Sequence, residues 1–298
     1  MANHDHKRAM VFGEVLFDCF PDGSEVLGGA PFNVAWHLQA FGQQPRLISR
    51  VGNDPLGRVI LKAMQDWGMT CSALQTDSTH PTGMVQVRFK DHEPSFEITA
   101  ERAYDFIDAH SLPTDTRCSV LYHGSLALRN GVSRAALAKL KQNLAAPIFV
   151  DVNLRPPWWE REYVLSLLQG ADWVKLNADE LSTLTLSDGD FASQVETLQT
   201  AYNLKRLFVT RGSEGAYVRT SEGTTYEIQP ARNLEVVDTV GAGDAFASVL
   251  LLGLTKEWPL DMIMKRAQAF ASALVGVRGA TVSDRAFYTP FLETWRLP

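Results

Sequence analysis

Cysteine is scarce. Cys19, Cys71 and Cys118 are odd in number and far apart, so they build no disulfide framework, and no Cys-x-x-Cys pair offers a zinc or thiol-redox site. Such usage suits a reducing cytoplasm. Long apolar runs are also missing: none reaches the roughly 18 residues of a membrane span, and residues 1–8, MANHDHKR, lack the apolar core of a secretory leader. His4 and His6 in that stretch read as a frayed terminus rather than a metal-binding pair. Positive charge is in deficit, 28 Lys and Arg against 34 Asp and Glu for a net −6, which argues against a general nucleic-acid or anionic-membrane surface. Any phosphate site must be local. The chain has no GxxxxGK[ST], no GxGxxG and no HExxH, so P-loop, dinucleotide-binding and zincin chemistries lack support.

What remains is an ordinary globular composition, 45% hydrophobic and 21% charged, over 298 residues. Strand-like and helix-like segments alternate, the pattern of a mostly parallel sheet covered on both faces. Residues 9–17 predict a first strand leading to Asp18. Residues 25–29 are extended and run into a helix with Pro31 near its first position, which places Gly28, Gly29 and Asn33 at a helix start. His37, one turn further on, reads as packing. Residues 47–51 predict a strand, followed by a helix capped by Asp54 with Pro55 at its first position. From 82 to 107 the pattern changes to short alternating segments separated by DHEP, a hairpin projecting from the main sheet. Further strands are expected at 119–123, 147–152, 172–176 and 207–210, with helices at 132–144 and 260–277. Asp151, Asn153 and Arg155 emerge at a strand's C-terminal end, where ligands of open α/β sheets lie. Asn177 and Glu180 have the spacing of a capping box.

The stretch around which the rest is organised is 236–252, VVDTVGAGDAFASVLLL. It predicts a short strand ending at Asp238-Thr239, a turn of small residues, Gly241, Ala242 and Gly243, and an apolar helix beginning at or just after Asp244. Backbone N–H groups at a helix start favour an anion. A carboxylate beside such an anion makes chemical sense if Asp244 takes a proton from an attacking hydroxyl while the amides stabilise a phosphoryl group in flight.

DTVGAGDAF resembles the signature of the ribokinase/fructokinase family of sugar kinases, and GGAPFNVA resembles that family's N-terminal sugar-binding motif. The resemblance runs from GEVLFD to RGAT, and it implies a three-layer α/β/α fold with a mostly parallel central sheet, one kinase domain and a small β lid from about 14–30 and 82–107. It implies that Asp244 is the catalytic base, with Gly241, Ala242 and Gly243 as an anion hole. Asp18, Gly28, Gly29 and Asn33 would contact the sugar, and Asn153 and Arg155, in DVNLRP, would add contacts as in fructokinases and 2-keto-3-deoxygluconate kinases. Asn177, Thr210, Gly212, Gly215, Gly243 and Gln268 would line the nucleotide site, although Gln268 stands where many members have Asn or His. Glu180, in N-x-x-E, would act on Mg²⁺ through water, and Asp238 and Ser283 with the carbonyls of Val240 and Gly279 would hold K⁺.

The implied partners are ATP, Mg²⁺ and a small sugar, with K⁺ as a further cation and a homodimer formed through the lid. The implied reaction is phosphorylation of a primary hydroxyl, most simply that of fructose to fructose 6-phosphate. Two other readings stay open: a kinase for 2-keto-3-deoxygluconate or ribose, and a sugar- or nucleotide-sensing module that has kept the fold without the reaction.

Overall fold

The computed structural model describes residues 7–90, 93–186, 189–230 and 236–298. His4, His6 and the first half of the DHEP turn, residues 91–92, lie outside them. The chain divides into two compact units, one made of Met1–Cys118, Ala127–Ala145 and Thr281–Pro298, the other of Ser119–Leu126 and Ala146–Ala280. Among the described residues no helix is long and apolar enough to cross a membrane.

In the first unit the strands are β1 (Arg8–Phe12), β2 (Leu16–Cys19), β3 (Glu25–Gly28), β4 (Arg46–Gly52), β5 (Leu74–Asp77), β6 (Gly83–Lys90) and β7 (Glu93–Ile98). β1, β4 and β5 form a parallel ladder. β3, β2, β6 and β7 form a separate four-stranded sheet, with β2 and β6 parallel and the outer pairs antiparallel. This second sheet contains the hairpin expected between 82 and 107, although residues 99–107 add no strand to it.

The single strand expected over 9–17 is in fact two, β1 and β2, which belong to different sheets. The break is at Gly13, whose φ is +151° and whose absent Cβ would lie 2.4 Å from Cγ of Pro31. The chain turns there because a helix start packs where a side chain would stand. That helix, Ala30–Ala40, buries Asn33 and His37 with its apolar residues; His37 Nδ1 lies 2.9 Å from the Tyr288 hydroxyl.

Asp54 does more than cap. Its Oδ1 accepts from the Gly57 amide at 2.8 Å, the cap of the helix Pro55–Asp66, while its two oxygens also accept from the Thr82 amide and hydroxyl, both at 2.7 Å. It therefore ties a helix start to the residue immediately before β6. Burial pushes the Asp54 carboxyl up, but the bonds from Thr82 and Gly57 outweigh it and hold the group below the usual carboxylate range. A carboxyl depressed in the folded state stabilises fully above its unfolded value, and that contribution is lost as pH falls through the folded value. Asp54→Ala should cost about 2 kcal/mol at pH 7. The gap to the wild type should shrink at pH 3 in paired urea titrations; an equal gap at both would show that the carboxylate is not the stabilising species.

In the second unit, β8 (Cys118–His123), β9 (Ile148–Asp151), β10 (Trp173–Asn177) and β11 (Arg206–Thr210) run parallel, and β12 (Ala216–Thr220) and β13 (Thr225–Ile228) continue antiparallel. Val120, Leu121, Phe149, Val150, Val174, Leu176, Leu207, Phe208 and Val209 are all buried, as in strands covered on both faces. The helix Ala242–Thr255 is buried from Ala245 to Leu254 and packs against the helix Leu260–Val275. A helix apolar on every side belongs inside a domain, and this one brings its N-terminus to the ligand end of the parallel strands.

Candidate active site

The centre of the second unit is the start of the helix Ala242–Thr255. Gly241 is its N-cap, with φ +79°, and its carbonyl accepts from the Ala245 amide at 2.8 Å. The helix thus begins two residues before Asp244, earlier than expected, so Ala242 and Gly243 lie inside the first turn. The strand expected at 236–238 is absent: the amides of Val237 and Asp238 both donate to the Val275 carbonyl, at 2.9 and 3.1 Å. Val236 and Val237 are 61% and 56% exposed, so this apolar run tethers a helix end instead of filling a core.

Asp238 organises the turn. Its Oδ1 accepts from the Val240 amide and its Oδ2 from the Gly279 amide, both at 3.0 Å. Ala280 follows directly and closes on Gly241, where a Cβ would meet the Ala280 Cβ at 2.4 Å. Among the four residues expected at a K⁺ site, three are drawn together by these bonds, and Ser283 belongs to the first unit.

A cavity of about 530 Å³ opens on this helix start, lined among others by Thr210, Gly212, Gly215, Ala242, Gly243 and Gln268. Five of the six residues expected at the nucleotide site therefore line one space. Gly215, with φ +90°, could carry no Cβ, because it would stand 1.9 Å from the Ile228 carbonyl oxygen. Asn177, the sixth, is spent on capping: its side chain accepts from the Glu180 amide at 2.8 Å, and Glu180 Oε2 accepts from the Asn177 amide at 2.8 Å. Glu180 Oε1 accepts from the Leu154 amide at 2.7 Å. Burial pushes the Glu180 carboxyl above its ordinary range, although these amides and Lys175 pull the other way.

Lys175 was not singled out from the sequence. It lies opposite Asp151 in the β10–β9 register, and its Nζ donates to both Asp151 oxygens, at 2.8 and 3.1 Å. The Tyr122 hydroxyl donates to Asp151 Oδ2 at 3.0 Å. A Cβ built on Gly243 would stand 3.5 Å from the Lys175 Nζ. Burial disfavours the charged ammonium, but Asp151, then Asp244 and Glu180, more than offset it and raise the Lys175 pKa. The only signal in the sequence was a lysine set between the apolar residues Val174 and Leu176 of a strand.

Asn153 and Arg155 do not join the cavity lining. Asn153 has φ +46°, and its carbonyl accepts from the Ser125 hydroxyl at 3.3 Å; Arg155 is exposed and donates to its neighbour's carbonyl, Leu154.

In the first unit, three expected sugar contacts converge. A Cβ on Gly28 would lie 3.7 Å from Asp18 Oδ2 and 3.9 Å from Asn33 Oδ1, so both polar tips border the bare end of β3. Gly29 caps the helix Ala30–Ala40 with φ +108°, and its missing Cβ would lie 2.8 Å from the Glu14 carbonyl oxygen.

The architecture is that of ribokinase-like kinases, a three-layer α/β/α fold with a mostly parallel sheet. It matches the structure of fructokinase from Xylella fastidiosa with bound ATP at a TM-score of 0.86, 20% identical and covering 98% of this chain and 99% of that one. Fructokinase from Vibrio cholerae O395, solved with fructose, ADP and a calcium ion, matches at 0.81, 27% identical over 96% and 99% of the two chains. In sequence, the Escherichia coli protein named fructokinase is 32% identical, with 92% of this chain and 94% of that protein covered. The chain belongs to the pfkB family of carbohydrate kinases, which matches residues 10–286.

Proposed function

We propose that this carbohydrate kinase phosphorylates fructose with ATP, giving fructose 6-phosphate and ADP. The observation that carries the reading is a carboxylate, Asp244, in a first helical turn whose neighbouring Ala242 and Gly243 line a cavity of about 530 Å³. Asp18, Gly28, Gly29 and Asn33 orient the sugar, and Thr210, Gly212, Gly215 and Gln268 receive the nucleotide. Asp244 takes the proton of the sugar's primary hydroxyl as that oxygen bonds to the γ-phosphorus. The bond from phosphorus to the β,γ-bridging oxygen breaks, and ADP leaves with the electron pair. The amides of residues 241–243 stabilise the charge that spreads over the transferring oxygens.

Glu180 suits a divalent ion held through water, because two backbone amides fix its carboxylate and each oxygen keeps a further lone pair. Bound Mg²⁺ would neutralise charge on the nucleotide oxygens. The K⁺ reading rests on Asp238, which gathers Val240 and Gly279 into one loop pair.

The test is coupled ADP release over a panel of fructose, ribose, 2-keto-3-deoxygluconate, fructose phosphate and nucleosides, with and without K⁺. Fructose should give the highest kcat/KM. A faster sugar acid would move the assignment to the ketodeoxygluconate kinases, and binding of sugar and ATP without ADP formation would make the protein a sensor.

A further inference from the structure

The kinase mechanism above makes no use of Lys175, and a lysine side chain with 8% exposure needs a reason. Lysines are almost never buried unless paired, and a buried pair is often no more stable than apolar residues of the same volume. Stability alone is therefore a weak explanation for keeping one. The surroundings supply another. Asp151 on β9 binds the ammonium with two oxygens, and Tyr122 on β8 fixes one of those oxygens from behind. The ammonium is thus held at one point, and that point is within 3.5 Å of where a Gly243 side chain would begin. The carboxylates it interacts with come from three elements: Asp151 on β9, Glu180 on the helix Ala178–Thr185 and Asp244 on the helix Ala242–Thr255.

We infer that Lys175 is a positioning residue for phosphoryl transfer, a fixed cation beneath Gly243 that sets the charge environment of the Asp244 carboxylate and of the turn holding the transferred group. This rests on the kinase reading. Three carboxylates interact with this ammonium beside the turn that a polyanionic nucleotide must approach, and without a cation there that group of carboxylates, Asp244 included, would bind protons more readily. A base that is already protonated cannot accept one from the sugar. Lys175 opposes that proton, and because its own geometry is fixed by Asp151 it does so without reorganising during the reaction.

The obvious variant, Lys175→Met, leaves Asp151 buried without its cation and is expected to be poorly stable. The decisive protein is the double variant Lys175→Met/Asp151→Asn, which removes both charges and keeps an acceptor for Tyr122. It should fold, and its kcat with ATP and the best sugar of the panel should fall on the order of 100-fold. The KM for ATP should stay within about threefold, and the acid limb of the kcat profile should move up by about one pH unit. A merely structural lysine would give the opposite result: with the buried charge relieved, the double variant would regain wild-type kcat and an unmoved acid limb, and the inference would be overturned. A wild type silent on every sugar would overturn the kinase reading and this inference with it, so the two failures are told apart by the wild-type control.

Discussion

Asp244→Ala should reduce kcat by about 10³- to 10⁴-fold while leaving ATP and sugar binding measurable by calorimetry. The expectation follows from where the residue stands. It lies in the first turn of a helix that is otherwise buried from Ala245 onward, half-exposed at the one end that opens on a cavity. Its contribution to folding is limited to a favourable charge near the helix N-terminus, roughly 0.3–1 kcal/mol, so the variant should fold. What it loses, under the proposed mechanism, is the acceptor for the sugar proton. Without it the hydroxyl attacks with its proton still bound, or hands it to water, and the barrier rises accordingly. Asp244→Asn, which preserves size and a hydrogen-bond acceptor, should be nearly as slow, because an amide oxygen is far too weak a base. Turnover within tenfold of the wild type in either variant would remove Asp244 from the role of base.

The parts of this arrangement that were legible in the sequence are those fixed by neighbours in the chain. Asp54 and Pro55 announced a helix start, Asn177 and Glu180 announced a capping box, and both are built as their spacing required. The illegible parts depend on residues far apart. Residues 9–17 look like one strand because nothing local reveals that Pro31 will occupy the space beside Gly13. Val236 and Val237 look like strand residues because apolarity signals burial, yet here two successive amides are claimed by a single carbonyl at the end of another helix. Lys175 and Asp151 meet only through the register of β10 on β9, a pairing that no periodicity encodes. Three of the sugar-site expectations, Asp18, Gly28 and Asn33, converge because a hairpin and a helix start that are adjacent in sequence fold together.

Gly241→Ala is expected to damage catalysis out of proportion to the one methyl group it adds. At φ +79° an alanine costs about 1–2 kcal/mol in backbone strain. The larger difficulty is that its Cβ would stand 2.4 Å from Cβ and 2.5 Å from Cα of Ala280. Neither atom can rotate away, so residues 241 and 280 must move apart. Asp238 ties Val240 to Gly279, the immediate neighbours of the two clashing residues, so a shift on either side pulls on both. The amides proposed as the anion hole would be displaced together, and on that reading kcat should fall by about 10²- to 10³-fold, the scale of losing an oxyanion donor. Gly243→Ala is the control for this argument. Its Cβ would meet only the Lys175 Nζ, at an ordinary 3.5 Å, so the backbone has no cause to move and thermal stability should match or exceed that of the wild type. If Gly241→Ala retained wild-type kcat and melting temperature, the turn would be free to relax, and a preorganised set of backbone donors could not be the source of rate enhancement here.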